Sequence, residues 1–535
     1  MKDINQNSEE KKKKEKQLKE HYTIRERSKN SVFRIVFGRT FFLMFAVIVQ
    51  LLFYIVFIFK LSKYNVYFFS VCSIFSILLT IRVTSKDINA SYKLAWTTLL
   101  LAIPVFGALF YVLLKIHPST GLIRKRHIEI CKKTKCYIPQ NMSVLEELKE
   151  KKDDFYGLAR YVDTYGGYPT YKNTSVKYFR LGDYKYEALL EELEKAKSFI
   201  FMEYYIVDEG VMWNSVLEIL KRKAKEGVEV RFMYDGMCTL KLLPHDYPKT
   251  LESYGIKCKV FSNIRPAISS YQNNRDHRKI CVIDGQVAFT GGVNLSDEYI
   301  NIGSKFGHWK DTAVMIKGEA VRNFTVMFLQ NWNITERGKE NYKKYINSIS
   351  VSGKGFIMPY GDSPFDKENV GEMVYMDVLN NARDYVHIMT PYLVLDNEMI
   401  TCMEYAAKRG VDVKIILPHV TDNPSAYLIA RNLYPQLIER GIKIYEYEPG
   451  FVHAKTVVSD DKKAVVGTIN FDFRSLYLNM ECAVYMQDDD EILEIEDDFE
   501  DTLSKCIEIT MFDCERYSIV KRMLGKVASL VSPLM

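Results

Sequence analysis

The chain lacks the features by which most phosphate chemistry is read from a sequence. Its 535 residues hold no phosphate-binding loop, no dinucleotide fingerprint and no spacing of cysteine, histidine and carboxylate that would seat a metal. The ten cysteines are scattered, and the nearest two, Cys131 and Cys136, lack the paired spacing of a zinc site. Free thiols in a reducing compartment are the expectation. A large charge excess is missing as well: Lys+Arg 73 against Asp+Glu 67 leaves +6, too little to argue for nucleic acid. No metal, no cofactor and no nucleic-acid partner are therefore expected.

Where the charge and the apolar residues sit is more informative than their totals. Lys11 to Lys14, Lys16, Lys19, Arg25, Arg27 and Lys29 crowd residues 1–30, which have few large apolar residues. Such a stretch is a solvated basic tail that can rest on anionic headgroups. Residues 31–118 read as a membrane region. Phe41 to Phe59 carries no charge, Tyr64 to Ile81 is a second uncharged run, and Leu94 to Leu114 a third, interrupted by Pro104 and Gly107. A cleaved signal peptide is not expected, because the first run is long, starts late and is followed by two more. The tail and the basic segment from Lys115 to Lys133 both favour the inner face, which calls for an even number of crossings. Two or three transmembrane helices are expected, with one segment re-entrant or interfacial if all three runs enter the bilayer.

Residues 119–174 read as a linker, and beyond them the pattern becomes that of an α/β protein. A buried strand from Ser198 to Ile206, a helical stretch to Lys225, Gly227 and a strand from Val228 to Tyr234 form one βαβ unit. The same succession returns as Tyr385–Tyr392, a helical stretch to Lys408, Gly410 and Val411–Leu417. The unit implies a parallel sheet in each copy. Two homologous α/β halves, 175–345 and 352–510, are expected to pack as a pseudo-dimer. Residues 511–535 form an amphipathic segment. Within it, Ile519 to Val531 alternates apolar residues with cations at helical spacing, so it either lies on a membrane or packs on the halves.

Each half carries one short motif. His277-Arg278-Lys279 is followed by Asp284, and His453-Ala454-Lys455 by Asp460, so both read His-x-Lys-x-x-x-x-Asp. Both run on through a strand to a turn ending in asparagine, Gly291-Gly292-Val293-Asn294 and Gly467-Thr468-Ile469-Asn470. On a strand, residues two apart share a face, so imidazole and ammonium stand side by side with Arg278 or Ala454 turned away. Two imidazoles, two ammoniums and the amides of Asn294 and Asn470 would surround one phosphate. The donors offset charge on its non-bridging oxygens. One histidine attacks phosphorus while the other moves the proton of the alcohol. Asp311 and Glu481 fall at matching places after the motifs and suit the task of fixing each imidazole's tautomer. The candidate catalytic set is His277, Lys279, Asp284, His453, Lys455 and Asp460, within which Asp284 and Asp460 are expected to hold the turns. The other histidines have no repeated context and are given no role.

These motifs resemble those of the phospholipase D superfamily. The stretches Asp276–Gly285 and Phe289–Tyr299, together with Thr390-Pro391-Tyr392 and Gly467–Ser475, narrow the resemblance to the bacterial cardiolipin synthases. Tyr92–Trp96 and Pro104–Gly107 are similar to that family's amino-terminal module, and Val531–Met535 to its carboxy-terminal tail. The basic tail and the run Phe41–Phe59 depart from the shortest family pattern. The resemblance implies that two phosphatidylglycerols become cardiolipin and glycerol through a phosphatidyl-histidine. It implies His277 as nucleophile, His453 as acid and base, and Lys279, Lys455, Asn294 and Asn470 as phosphate ligands. A hydrolytic phospholipase D, or another phosphatidyltransferase, would use the same site. The implied setting is a cell membrane, with multiple passes and the catalytic part on the cytoplasmic face.

Overall fold

A computed structural model describes Leu52 and residues 65–534, except 116–117, 263–272, 337, 339 and 348. The expected basic tail and all but Leu52 of the run Phe41–Phe59 lie outside the described residues.

Two sheets carry the soluble part, and both are mixed rather than parallel. The first has seven strands in the spatial order Thr174–Phe179, Ala313–Gly318, Val287–Gly291, Ile280–Ile283, Phe199–Tyr204, Glu229–Asp235, Lys257–Phe261. The second repeats that order with Phe356–Asp362, Glu481–Gln487, Lys463–Gly467, Thr456–Ser459, Tyr385–Met389, Asp412–Pro418, Lys443–Tyr447, and adds Cys506–Ile509 at its edge. The βαβ units are parallel as the pattern implied: Phe199 pairs with Glu229, and Tyr385 with Asp412. The antiparallel part was missed because the strands after each motif are joined by short turns, Asp284–Gly285 and Asp460–Asp461, which force hairpins.

The crossover helices are Val211–Lys225 and Asn397–Lys408. Each ends at a glycine in the left-handed region, Gly227 at φ 91° and Gly410 at φ 96°, where a side chain would be strained. The sheets pack through the strands that follow the motifs. Ala288, Val314 and Ile316 of the first half share one core with Val466, Cys482 and Val484 of the second. The two halves therefore have no separate hydrophobic interiors at their contact.

Residues 119–174, read as a linker, are built into the body. Helix Pro118–Thr134 contacts Val321–Trp332, and Gln330 donates to Thr134 Oγ1 at 2.8 Å. Arg124 reaches across to the carbonyl of Phe365 at 2.7 Å.

Among the described residues, one helix is long and apolar enough to cross a bilayer, through Tyr67–Thr84 of Asn65–Thr84. Its 20 residues span about 30 Å at 1.5 Å each. The third expected run does not cross straight. It folds as two helices, Ala90–Ala102 and Pro104–Lys115, whose rings meet: Trp96 lies 4.9 Å from Tyr111 and 5.9 Å from Phe110. Fifteen residues of continuous helix would separate Trp96 from Tyr111 by about 22 Å, so this is a hairpin. Pro104 and the non-helical Ile103, at φ −137° and ψ 70°, make the bend. The arms are about 20 and 18 Å long, short of a hydrocarbon layer of about 30 Å. Asn89, which caps the first arm, donates to Asp396 and to Tyr477, both at 2.9 Å, and so ties the hairpin to the second half.

Candidate active site

The two motifs do not sit on their strands but just ahead of them, since the strands begin at Ile280 and Thr456. There the backbone of each half bonds to the other. His277 N donates to Met480 O at 2.9 Å, and Met480 N to Arg275 O at 2.7 Å. In mirror fashion His453 N donates to Lys310 O at 2.7 Å, and Val452 pairs with Lys310. Each histidine is thereby set beside the residue that follows its partner, Glu481 or Asp311. For the first half this requires a break in the strand that would otherwise carry Asp311. The chain leaves the sheet at Asp311 and Thr312, so His308–Lys310 pairs across the halves while Ala313–Gly318 stays in its own sheet.

The carboxylates are exchanged as a result. His277 Nδ1 lies 2.9 Å from both Glu481 oxygens, and His453 Nδ1 lies 2.6 Å from Asp311 Oδ2. Glu481 accepts as a carboxylate, so on His277 Nδ1 carries the hydrogen and Nε2 is left with its lone pair, whereas His453 Nδ1 also lies 3.0 Å from Lys455 Nζ. Lys279 Nζ and Lys455 Nζ curl back to the carbonyls of His277 and His453. Each ammonium also feels both Glu481 and Asp311, and His453 feels His277, so the two motifs share one electrostatic site.

Burial governs the protonation. Desolvation, with Lys279 and Lys455 adding like charge, pushes His277 down to about 4. Burial lowers His453 well below the usual imidazole value, helped by Lys455, Lys279 and His277. Both rings are neutral at pH 7. Burial also lowers the two ammoniums, Lys279 to about 8 and Lys455 to about 7. An anion bound between them would restore both.

The two carboxylates part company. Burial raises Asp311 to about 7 against the pull of Lys455. Burial also raises Glu481, but His277, Lys279 and the Thr468 hydroxyl outweigh it and hold that carboxyl below its ordinary value. Thr468 Oγ1 donates to Glu481 Oε2, and Asn479 Nδ2 to Oε1 at 3.3 Å. The residue matching Thr468 in the first half is Gly292, which offers no hydroxyl. A Cβ there would fall 2.0 Å from Asp311 Oδ1 and 2.8 Å from His453 O, so no larger residue fits without moving the carboxylate.

The remaining predicted residues divide. Asn294 is at the site but engaged: its Oδ1 accepts from Ile206 N at 3.0 Å, and its Nδ2 donates to Tyr299 Oη at 2.7 Å. Asn470 is buried there too, and among the described residues its Oδ1 has no hydrogen-bond partner. Asp284 and Asp460 are not with the imidazoles. Each sits past the far end of a four-residue strand, roughly 13 Å along. Asp284 accepts from the amides of Lys197, Ser198 and Phe199 at 2.7–2.8 Å, and Asp460 from those of Arg383, Asp384 and Tyr385 at 2.9–3.0 Å. Counting them in a catalytic set is thus corrected: they clamp the start of the central strand to the hairpin turn.

Several residues at the site had no signal in the repeat. Tyr205 stands edge-on to His277 at 4.9 Å, while Tyr299, Trp309 and Phe451 surround His453 at 5.4, 5.5 and 5.9 Å. Arg278, turned away from the imidazole as expected, is buried. It donates to Glu203 at 2.6 Å and to Asp276 at 3.0 Å, and Asn331 bonds both carboxylates at 2.7 Å. The duplicated context could have exposed Thr468 and Gly292, since they are the one difference of chemistry within the two Gly-x-x-Asn turns.

The family model described as "Cardiolipin synthase, PLD-like domain" matches residues 189–332 and 375–503, about half of the chain, and a second, "Phospholipase_D-nuclease N-terminal", matches 73–115. An uncharacterized protein of Streptococcus mutans serotype c is 48% identical over 448 residues, covering 83% of this chain and 96% of its own. Cardiolipin synthase 2 of Bacillus anthracis is 32% identical over 465 residues, covering 84% and 87%. Among solved structures, the phosphatidylserine synthase of Haemophilus influenzae Rd KW20 superposes with a TM-score of 0.53 at 12% identity, over 68% of this chain and 95% of that one. That likeness speaks for the fold alone.

Proposed function

The chain belongs to the phospholipase D-like cardiolipin synthase family, and on that premise we propose that it is a phosphatidyltransferase that joins two phosphatidylglycerols into cardiolipin and glycerol. The observation that carries the reading is the exchanged pairing, in which each imidazole is oriented by a carboxylate of the opposite half. Neither half alone has a complete set.

His277 is the nucleophile in this reading. With Nδ1–H held by an ionised Glu481, its Nε2 lone pair attacks phosphorus of the first phosphatidylglycerol. His453, protonated at Nε2, gives that proton to the departing glycerol oxygen as the phosphorus–oxygen bond breaks. It then takes the proton of the second phosphatidylglycerol's terminal hydroxyl, whose oxygen attacks phosphorus and releases His277. The high proton affinity of Asp311 supports the division, because the Asp311–His453 pair holds a proton near neutrality whereas Glu481 stays ionised. The phosphodiester's negative charge offsets the like charges that depress His453. Lys279, Lys455 and Asn470 bind the non-bridging oxygens, and Asn294 adds the Nδ2 hydrogen that Tyr299 does not take. The aromatic wall of Tyr205, Tyr299 and Trp309 keeps water from the phosphatidyl-histidine, which favours transfer over hydrolysis.

In this reading helix Asn65–Thr84 crosses the bilayer and, with the hairpin, keeps both lipid substrates at hand, and the free cysteines and the basic segment after the hairpin support a cytoplasmic position for the halves. The test is purified enzyme in vesicles of headgroup-labelled phosphatidylglycerol alone. One cardiolipin per labelled glycerol is expected. Phosphatidic acid without cardiolipin would mean a hydrolase and end the reading.

A further inference from the structure

Helix Ile519–Val531 presents the wrong face to water. It lies along Pro424–Glu439 through its small residues: a Cβ on Gly525 would stand 2.8 Å from the carbonyl of Leu428, and Ala528 packs on Val394, Ile429 and Phe473. Its large apolar residues point outward. Ile519 is 68% exposed, Val520 66%, Met523 64%, Leu524 54% and Val527 64%, and at 100° per residue they form one face. Lys521 and Lys526, also exposed, border that face. An amphipathic helix in water does the reverse, so a continuous outward apolar face marks a contact with something apolar.

The surroundings say what. The helix runs on to Leu534, which packs against the cluster of Leu79, Val83, Trp96 and Leu100 in the membrane module. The helix is thereby anchored to the module whose long apolar helix leaves Val71, Ile74, Leu78 and Ile81 exposed. Cations at the border of an apolar face suit anionic headgroups. At its other end the supporting helix Pro424–Glu439 begins just past Asp422, which accepts a hydrogen bond from Tyr392 at 2.8 Å and lies within electrostatic reach of Lys455 in the site.

We propose that the outward face of Ile519–Val531 is a second membrane-docking surface. It rests in the interfacial layer of an anionic bilayer and, with the spanning helix, holds the mouth of the site at headgroup depth. The claim is independent of the reaction catalysed.

An environment-sensitive fluorescent amino acid placed at Val527 of the full chain tests it, with one at exposed Lys408 as reference, in vesicles of phosphatidylglycerol and phosphatidylethanolamine. Expected at Val527 is blue-shifted emission that lipids with brominated acyl chains quench, against unshifted, unquenched emission at Lys408. Emission at Val527 like that at Lys408 would show a face left in water and overturn the proposal. Blue-shifted emission that brominated lipid leaves unquenched would mean a second protein copy covers the face, and would overturn it equally. Because the label replaces an exposed residue, folding is not at stake.

Discussion

In the first half the residue between histidine and lysine is Arg278, buried with Glu203, Asp276 and Asn331 in a polar network. In the second half the matching positions are Ala454, Met389 and Val452, packed with Ile416 and Phe499 in an apolar cluster. The same backbone, holding the same motif, is thus supported by ions on one side and by hydrocarbon on the other. The motif needs a rigid floor, and either material provides one. What cannot differ is the floor's completeness: one charge removed from the first side leaves two buried carboxylates, whereas the second side has no charge to lose.

The largest effects should come from the histidines themselves. Replacing either His277 or His453 by alanine is expected to lower cardiolipin formation by at least about 10³–10⁴-fold, the scale of a lost nucleophile or general acid. The comparison sharpens with a phosphatidyl ester whose leaving group needs no proton, such as p-nitrophenol. A burst of nitrophenol from His453→Ala, with none from His277→Ala, is the outcome expected of the roles assigned above. Bursts from both would show the halves to be interchangeable.

Next comes the floor. Arg278→Ala should destabilise the protein by about 3–5 kcal/mol, because Glu203 and Asp276 lose their countercharge in the interior. Copying three positions of the second half, with Glu203→Met, Asp276→Val and Arg278→Ala together, should recover part of that loss, since hydrocarbon of similar volume often replaces a buried ion network at little cost, while the buried Asn331 amide loses both its acceptors. Denaturant melts in detergent decide. A triple variant as unstable as the single one would show that the halves' floors are not exchangeable.

A smaller effect distinguishes the carboxylates. Thr468→Ala removes a donor from Glu481 and makes that position resemble Gly292 beside Asp311, at an expected cost of about 1–2 kcal/mol in transition-state stabilisation, roughly tenfold in rate. The pH profile carries the sign. Activity needs His277 neutral and Glu481 ionised, so in the native enzyme kcat/KM should persist as pH falls toward about 4, the value of His277. It should decline as pH rises through about 7 to 8, where Lys455 and Lys279 lose their protons in the empty site. In the variant the carboxyl of Glu481 is raised, so the acid limb moves up toward neutrality while the alkaline limb stays. An unmoved acid limb would remove Thr468 from the account.

Much of this was legible because duplication makes a sequence check itself. Asp311 and Glu481 could be singled out from sequence alone, being acidic residues at matching places after the two motifs, and the structure sets both on imidazoles. Their exchange between halves was not legible, because it depends on the break at Asp311–Thr312 and on backbone bonds between chain segments some 140–200 residues apart. Arg278 carried no signal for a related reason: a position that differs between copies is not checked by the repeat, although its charge is fixed by Glu203 on a neighbouring strand. The hairpin at Pro104 was hidden by hydropathy, which reports how apolar a run is and not whether it turns back.

The smallest effect should fall on Asp284 and Asp460, and should fall on both alike. Each backbone stands in the left-handed region, φ 54° and 55°, which aspartate and asparagine tolerate better than other side chains. Each carboxylate accepts three amides at the start of the central strand. Alanine there loses the acceptor and strains the turn, for an expected cost of about 1–2 kcal/mol. Asparagine keeps the turn and one acceptor oxygen, and should cost less. Because both residues are a strand's length from the imidazoles, the folded fraction of either alanine variant should turn over lipid at the native rate. Thermal melts paired with activity per folded molecule separate the two readings: a lowered melting temperature at native specific activity is expected. A specific activity reduced as far as in the histidine variants would return these aspartates to the chemistry.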